Sequence, residues 1–324
     1  MSVTTVAVLD DYQGRAREYA DWASLEPGVE VEFFREPIRP DALGVTLAEF
    51  DVLVLMRERT AFPRSVLEEL PNLRLLVTTG MRNASVDIDY LRERGVTVCG
   101  TGRAGTADAP GVPSTAEVAW ALILAVCKRV PFEDQAIRGG RWQVDVPVNL
   151  AGATLGLAGL GTLGAAMAGP ARAFGMDVIA WSQNLTDERA AAVGVRRVSK
   201  AELLAGADVL SVHLVLSDRT RGLFQAADLA QLKSTAVVIN TSRGPIIDQV
   251  ALIDALRNRT IAAAGLDVYD QEPLPAGHEL TTLDNVVLLP HLGYVSEPGL
   301  RNMYGQAVEN IAAFLAGTPI RTIG

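Results

Sequence analysis

Thr154-Leu155-Gly156-Leu157-Ala158-Gly159-Leu160-Gly161-Thr162-Leu163-Gly164 is the stretch that decides the fold. Residues 154–158 form a short apolar run of the kind buried in a parallel sheet. Gly159, Gly161 and Gly164 follow at the spacing G-x-G-x-x-G, and from Leu163 the sequence turns alanine-rich and helical. A strand, a glycine turn and a helix in that order make a dinucleotide-binding element. Gly159 permits the tight turn, Gly161 lets backbone amides approach a pyrophosphate, and Gly164 lets helix and strand pack closely. The open N–H groups and positive dipole end of the helix then face the phosphates.

The alternation of strand and helix continues in both directions. Downstream, strands are predicted at 178–181, 209–213, 236–240, 263–267 and 286–289, which with 154–158 gives about six, and the last helix at 298–315. Upstream, strands are predicted at 6–9, 29–34, 52–56, 73–78 and 96–98, with helices at 15–22, 65–70 and 86–94. Short apolar strands alternating with helices indicate parallel sheets covered on both faces, an α/β fold. Residues 100–113 are rich in Gly, Ala, Thr and Pro and read as a domain crossover. Ser114, as N-cap, and Glu117 match a capping box opening a long apolar helix to about residue 129. That helix suits either the core or a subunit interface. A second helix is predicted at 132–139.

The 324 residues suggest about two domains. A net charge of −9 argues against general binding to nucleic acid or anionic membranes, whereas a small anionic substrate needs only a local cation. Cys99 and Cys127 are the only cysteines; their spacing fits no metal pattern, and a reducing compartment suits them. The N-terminus lacks a basic segment followed by an apolar core, and the longest apolar stretch, 116–126, is too short to span a bilayer. The expectation is a cytoplasmic protein without membrane or nucleic-acid partners.

Ligands of open α/β sheets bind beyond the carboxyl ends of the strands. Four polar clusters stand there. After 178–181 come Ser182, Gln183 and Asn184, where an Asp or Glu would hold the ribose 2′-hydroxyl of NAD. Asp187 and Glu188 come too late, and the nearest cation is Arg189. The neutral tip does not repel a 2′-phosphate, so NAD and NADP both stay open. After 236–240 come Thr241, Ser242 and Arg243, whose planar guanidinium can clamp a carboxylate through two bonds. After 263–267 come Asp267 itself and Glu272, which precedes a proline. After 286–289 comes Pro290-His291-Leu292-Gly293. Imidazole passes a proton near neutral pH, which makes His291 the candidate acid/base. His213 also ends a strand and could face the cofactor or cap the sheet; His278 lies in a loop with no obvious partner.

With these motifs in order, the chain resembles the D-isomer-specific 2-hydroxyacid dehydrogenases over essentially its whole length. The likeness rests on Gly159 to Gly164, on the run from Asn240 to Asp248, on the run from Gly265 to Pro273, and on Pro290 to Gly293. The N-terminal half adds Leu70 to Arg74 and Thr79 to Asn83. The resemblance implies a Rossmann cofactor domain, 105–297, and a flavodoxin-like, discontinuous substrate domain, 1–104 with 298–324, flanking a cleft. It implies that His291 is the acid/base, that Glu272 pairs with it and favours the imidazolium, and that Arg243 binds the substrate carboxylate and polarises the keto oxygen. Cofactor contacts would come from Thr115, Gly159, Gly161, Thr162, Leu163, Gly164, Ser182, Gln183, Asn184, His213, Thr241, Ser242, Arg243, Asp267, His291 and Gly293, with Asp267 orienting the nicotinamide carboxamide. Thr79 and Gly80 resemble the loop that holds the other end of the carboxylate, and Arg57 and Arg82 are candidates for a second polar group on the substrate. The helix from Ser114 would cross between domains and contribute to a homodimer.

The chain departs from the family pattern at several places. The acid after the second cofactor-domain strand is missing, Val215 replaces a frequent proline, and Thr162-Leu163 replaces a common Arg-Ile. Met81-Arg82-Asn83 stands where small residues are frequent. The expected reaction is hydride transfer between NAD(P)H and a 2-keto acid such as glyoxylate, hydroxypyruvate or a larger relative. Formate oxidation is disfavoured, because that branch carries an amide where this chain has Glu272; phosphite oxidation stays open. The alternative is a dinucleotide-sensing, non-catalytic protein resembling the corepressors built on this fold.

Overall fold

The computed structural model describes residues 3–102 and 113–323. The chain divides into two compact units, Met1–Ala109 with Ser296–Gly324, and Pro110–Val295. The expected crossover therefore falls largely on 103–112, outside the described residues.

The first unit is built on β1 Thr4–Val8, β2 Val29–Phe33, β3 Val52–Leu55, β4 Leu75–Thr78 and β5 Thr97–Gly100. All pair in parallel, in the order β2-β1-β3-β4-β5, the flavodoxin-like order. β3 and β4 are buried at every position, which is why Val52-Leu53-Val54-Leu55 shows no polar alternation. The C-terminal helix Glu297–Leu315 belongs to this unit, capped by the Ser296 hydroxyl, which accepts from Gly299 N–H. Its buried Asn310 donates to the Gly100 carbonyl at 2.9 Å, fastening the helix to the end of β5.

The second unit carries β6 Thr154–Ala158, β7 Asp177–Trp181, β8 Arg196–Arg197, β9 Val209–Val212, β10 Val237–Asn240, β11 Ala263–Leu266 and β12 Val286–Leu288. The order β12-β11-β10-β9-β6-β7-β8 is the doubly wound nucleotide-binding arrangement with one strand added beyond β11. One face of the sheet is covered by a core that includes Leu203, Phe224, Leu252 and Leu256, the other by a core that includes Ala119, Ile123, Met167 and Ala171.

Three expectations need correction. The sheet has seven strands rather than six, because β8 consists of two exposed arginines without an apolar signature. A short helix, Leu43–Leu47, lies where no element was expected. The capping box at Ser114 and Glu117 is absent. Pro113 occupies the N-cap, its carbonyl accepting from Ala116 and Glu117 N–H, so Ser114 is already the first helical residue. The helix itself, Ser114–Cys127, is largely buried, as its apolar circumference predicts.

Candidate active site

β6 runs straight into the glycine turn. Gly159 sits at φ 103°, and a Cβ there would stand 2.6 Å from the His213 carbonyl oxygen. The close approach is fixed by two backbone bonds at 2.8 Å, Gly159 N–H to Trp181 and His213 N–H to Ala158. A Cβ on Gly164 would strike the Gly159 carbonyl, so the helix Thr162–Ala173 packs on the strand only with glycine there. Gly161 is different. It is the N-cap, no side chain caps the helix, and a Cβ would meet nothing within 4 Å. The turn therefore offers open space and uncapped N–H groups, which fits a pyrophosphate. Thr241 Oγ1, beyond the end of β10, is buried and has no hydrogen-bond partner among the described residues. A buried polar atom left so is what a bound polar group would satisfy.

The remaining groups come from the carboxyl ends of three neighbouring strands, β10, β11 and β12. Asn240 shapes the first turn. Its amide donates to the Arg243 carbonyl at 3.0 Å and its oxygen accepts from Ser242 N–H at 3.0 Å. The Ser242 hydroxyl donates to the Leu214 carbonyl, and Arg243 Nη1 to the Ser242 carbonyl at 2.7 Å. Gly244 is buried against the backbone of Tyr269 and Asp270, where any side chain would collide, so the turns after β10 and β11 lie in contact. In the second turn, Glu272 Oε1 accepts from Tyr269 N–H at 2.9 Å. Its other oxygen, Oε2, stands 2.6 Å from His291 Nδ1. With Glu272 ionised, Nδ1–H donates, and Nε2 is left as the nitrogen that exchanges a proton.

Asp267 fixes the third turn. It is fully buried, and its two oxygens accept from Leu292 N–H at 2.7 Å and Gly293 N–H at 2.8 Å. Burial raises its pKa above the usual carboxylate value, and the two amide bonds oppose that rise. Thr115 donates to the Gly293 carbonyl at 2.8 Å. Sequence reasoning missed Tyr269, whose phenol donates to the Leu289 carbonyl at 2.8 Å and ties the second turn to the third. Its place three residues before Glu272 was the only signal available. An imidazole backed by a carboxylate, with a guanidinium on the next turn, can deliver a proton and hold an anion.

The family model of the D-isomer specific 2-hydroxyacid dehydrogenase NAD-binding domain matches residues 120–293. The chain belongs to this family. It is 37% identical to the glyoxylate reductase of Aeropyrum pernix over 78% of its own length and 76% of that protein's. It is 30% identical to the hydroxypyruvate reductase of Blautia hydrogenotrophica over 98% and 99%. The crystal structure of phosphoglycerate oxidoreductase from Vibrio cholerae superposes with a TM-score of 0.89 at 33% identity, covering 97% of this chain and all of that one. The chain is thus an oxidoreductase of 2-hydroxy acids that uses NAD or NADP.

The remaining sequence candidates of this dehydrogenase fall in both units. Ser182, Gln183 and Asn184 form the open turn after β7, Gln183 and Asn184 being exposed. The His213 ring bonds Ser211 Oγ through Nε2 at 2.9 Å, and burial pushes its pKa down to about 4. His278, expected to lack a partner, has two: Leu280 N–H donates to Nδ1, and Nε2 lies 3.3 Å from Gln249 Nε2. Arg57, Thr79, Gly80 and Arg82 belong to the first unit. There Arg57 takes the left-handed backbone at φ 55°, its N–H donating to Thr79 Oγ1 at 2.7 Å and its guanidinium to the Thr79 carbonyl at 3.2 Å. Gly80, at φ 115°, donates to Thr101 Oγ1, and Arg82 is exposed. Among the described residues no helix is long and apolar enough to cross a membrane.

Proposed function

We propose that this dehydrogenase reduces a small 2-keto acid of the glyoxylate or hydroxypyruvate class. The observation that carries the reading is the 2.6 Å bond between His291 and Glu272, with the turn of Glu272 in contact with that of Arg243. When bound, the dinucleotide supplies or accepts the hydride. Arg243 holds the substrate carboxylate and polarises the keto oxygen. His291 delivers a proton from Nε2 to that oxygen as it becomes a hydroxyl, and Glu272 balances the charge on the ring. In the oxidative direction the same nitrogen takes the proton back.

The cofactor would lie along the turn of Gly159, Gly161, Thr162, Leu163 and Gly164 and reach Thr115, Thr241, Ser242 and Asp267. Arg57, Thr79, Gly80 and Arg82 are carried as candidate substrate contacts, to be tested by single alanine substitutions read as KM. A homodimer is supported by apolar side chains on and after the helix Val130–Arg138: Val130, Ile137, Trp142, Val144, Val146 and Val148 are all exposed, Trp142 at 75%. Sedimentation velocity tests it. The two free thiols, Cys99 and Cys127, suit the cytoplasm.

The deciding experiment assays glyoxylate, hydroxypyruvate and larger 2-keto acids with NADH and NADPH in parallel. Consumption of reduced cofactor with at least one of them is expected; consumption with none contradicts the reading. Arg243→Lys should lower kcat/KM by about 10²-fold while reduced-cofactor binding holds, because a point charge cannot replace a two-pronged clamp.

A further inference from the structure

The carboxyl end of β7 is where a dinucleotide-binding sheet meets the adenosine ribose. An NAD site keeps an Asp or Glu there, and the turn 182–186 holds neither. The structure adds a cation that the sequence did not bring to this place. β8 lies beside β7 in parallel, with Ile179 opposite Arg196 and Ala180 opposite Arg197, and Val198 N–H bonds the Ala180 carbonyl at 3.0 Å. Residues opposite one another in a ladder share a face. Ala180 packs in the same core as Met167 and Ala168 of the glycine-turn helix, so Arg197 stands on the face from which that helix presents its N-terminus.

The Arg197 guanidinium is available. Its ion pair with Asp187 is 3.4 Å long, with the two side chains 46% and 78% exposed, and such pairs contribute little and exchange readily. The neighbouring Glu188 is already engaged by its own backbone N–H and the Thr186 hydroxyl at the start of the helix Asp187–Ala191. Ser182 and Asn184 supply uncharged hydrogen-bonding groups on the turn itself.

We infer that Ser182, Asn184 and Arg197 form the seat of an adenosine 2′-phosphate, so that this dehydrogenase takes NADP(H) in preference to NAD(H). The inference rests on the dinucleotide-binding reading of the glycine turn and is independent of which keto acid is reduced. Its test is equilibrium titration of the whole enzyme, without substrate, with adenosine 2′,5′-bisphosphate against 5′-AMP and with NADPH against NADH. The 2′-phosphorylated member of each pair should bind about tenfold tighter or better, the scale of one charge-assisted bond. Arg197→Ala should remove most of that margin and leave 5′-AMP binding within about twofold. Ser182→Asp should reverse the preference. Equal or tighter binding of NADH by the unaltered enzyme, or a margin that survives Arg197→Ala, overturns the inference whatever the activity toward keto acids. Failure to bind any of the four probes would overturn the glycine-turn reading as well.

Discussion

His291 takes a backbone conformation, φ 54°, that side-chain-bearing residues avoid by about 1–2 kcal/mol. The strain is offset where Asp267 accepts from the next two amides, Leu292 and Gly293. In Asp267→Asn one oxygen becomes a donor facing a donor. The loss of a charge-assisted bond should lower stability by about 2 kcal/mol in urea unfolding and reduce kcat along with it. Stability and kcat both equal to the parent's would show that the tether does not hold the turn. His291, Glu272 and Arg243 were legible in sequence because each is a chemically distinct side chain close behind an apolar strand. The partners of Asp267 were not, because they are backbone amides 25 and 26 residues away and leave no side-chain signature. His278 escaped for the same reason, its Nδ1 being taken by a backbone N–H.

The glycine turn keeps apart the two roles that the sequence reading assigned to Gly161 and Gly164. A Cβ at Gly161 meets nothing, whereas one at Gly164 strikes the Gly159 carbonyl. Gly161→Ala should therefore leave thermal stability unchanged within about a degree and weaken NAD(P)H binding, since the methyl stands where a phosphate must approach. Gly164→Ala should lower both Tm and affinity, by overpacking on the order of 1–3 kcal/mol. Differential scanning fluorimetry with and without cofactor distinguishes them; identical behaviour of the two variants would contradict the division. Most strands were legible because a strand buried on both faces is an unbroken apolar run, as in Val237-Val238-Ile239. β8 was illegible because Arg196 and Arg197 bury nothing. The start of the helix at Ser114 was misread because Pro113 takes the cap and needs no side-chain hydroxyl to do so.

Across the whole molecule, the two parallel sheets have different strand orders, and apolar runs mark most of their strands. What pattern could not supply was the state of groups between strands, and His213 has a consequence for the stability of the fold. Its imidazole, with a pKa near 4 in place of the ordinary 6.5, stays neutral when folded. Between those values the unfolded chain binds a proton that the folded chain refuses. Its contribution is therefore complete above about pH 6.5 and lost as pH falls toward 4, by up to about 3 kcal/mol. His213→Gln should lose less stability than the parent between pH 7 and pH 4 in urea unfolding; parallel losses would contradict this. The account as a whole depends on the proton leaving from His291. The most direct measurement is steady-state reduction of the best 2-keto acid by His291→Asn, with NAD(P)H binding followed by fluorescence on the same preparation. The prediction is a kcat lower by about 10²–10⁴-fold with cofactor affinity retained. Turnover equal to the parent enzyme's would contradict it.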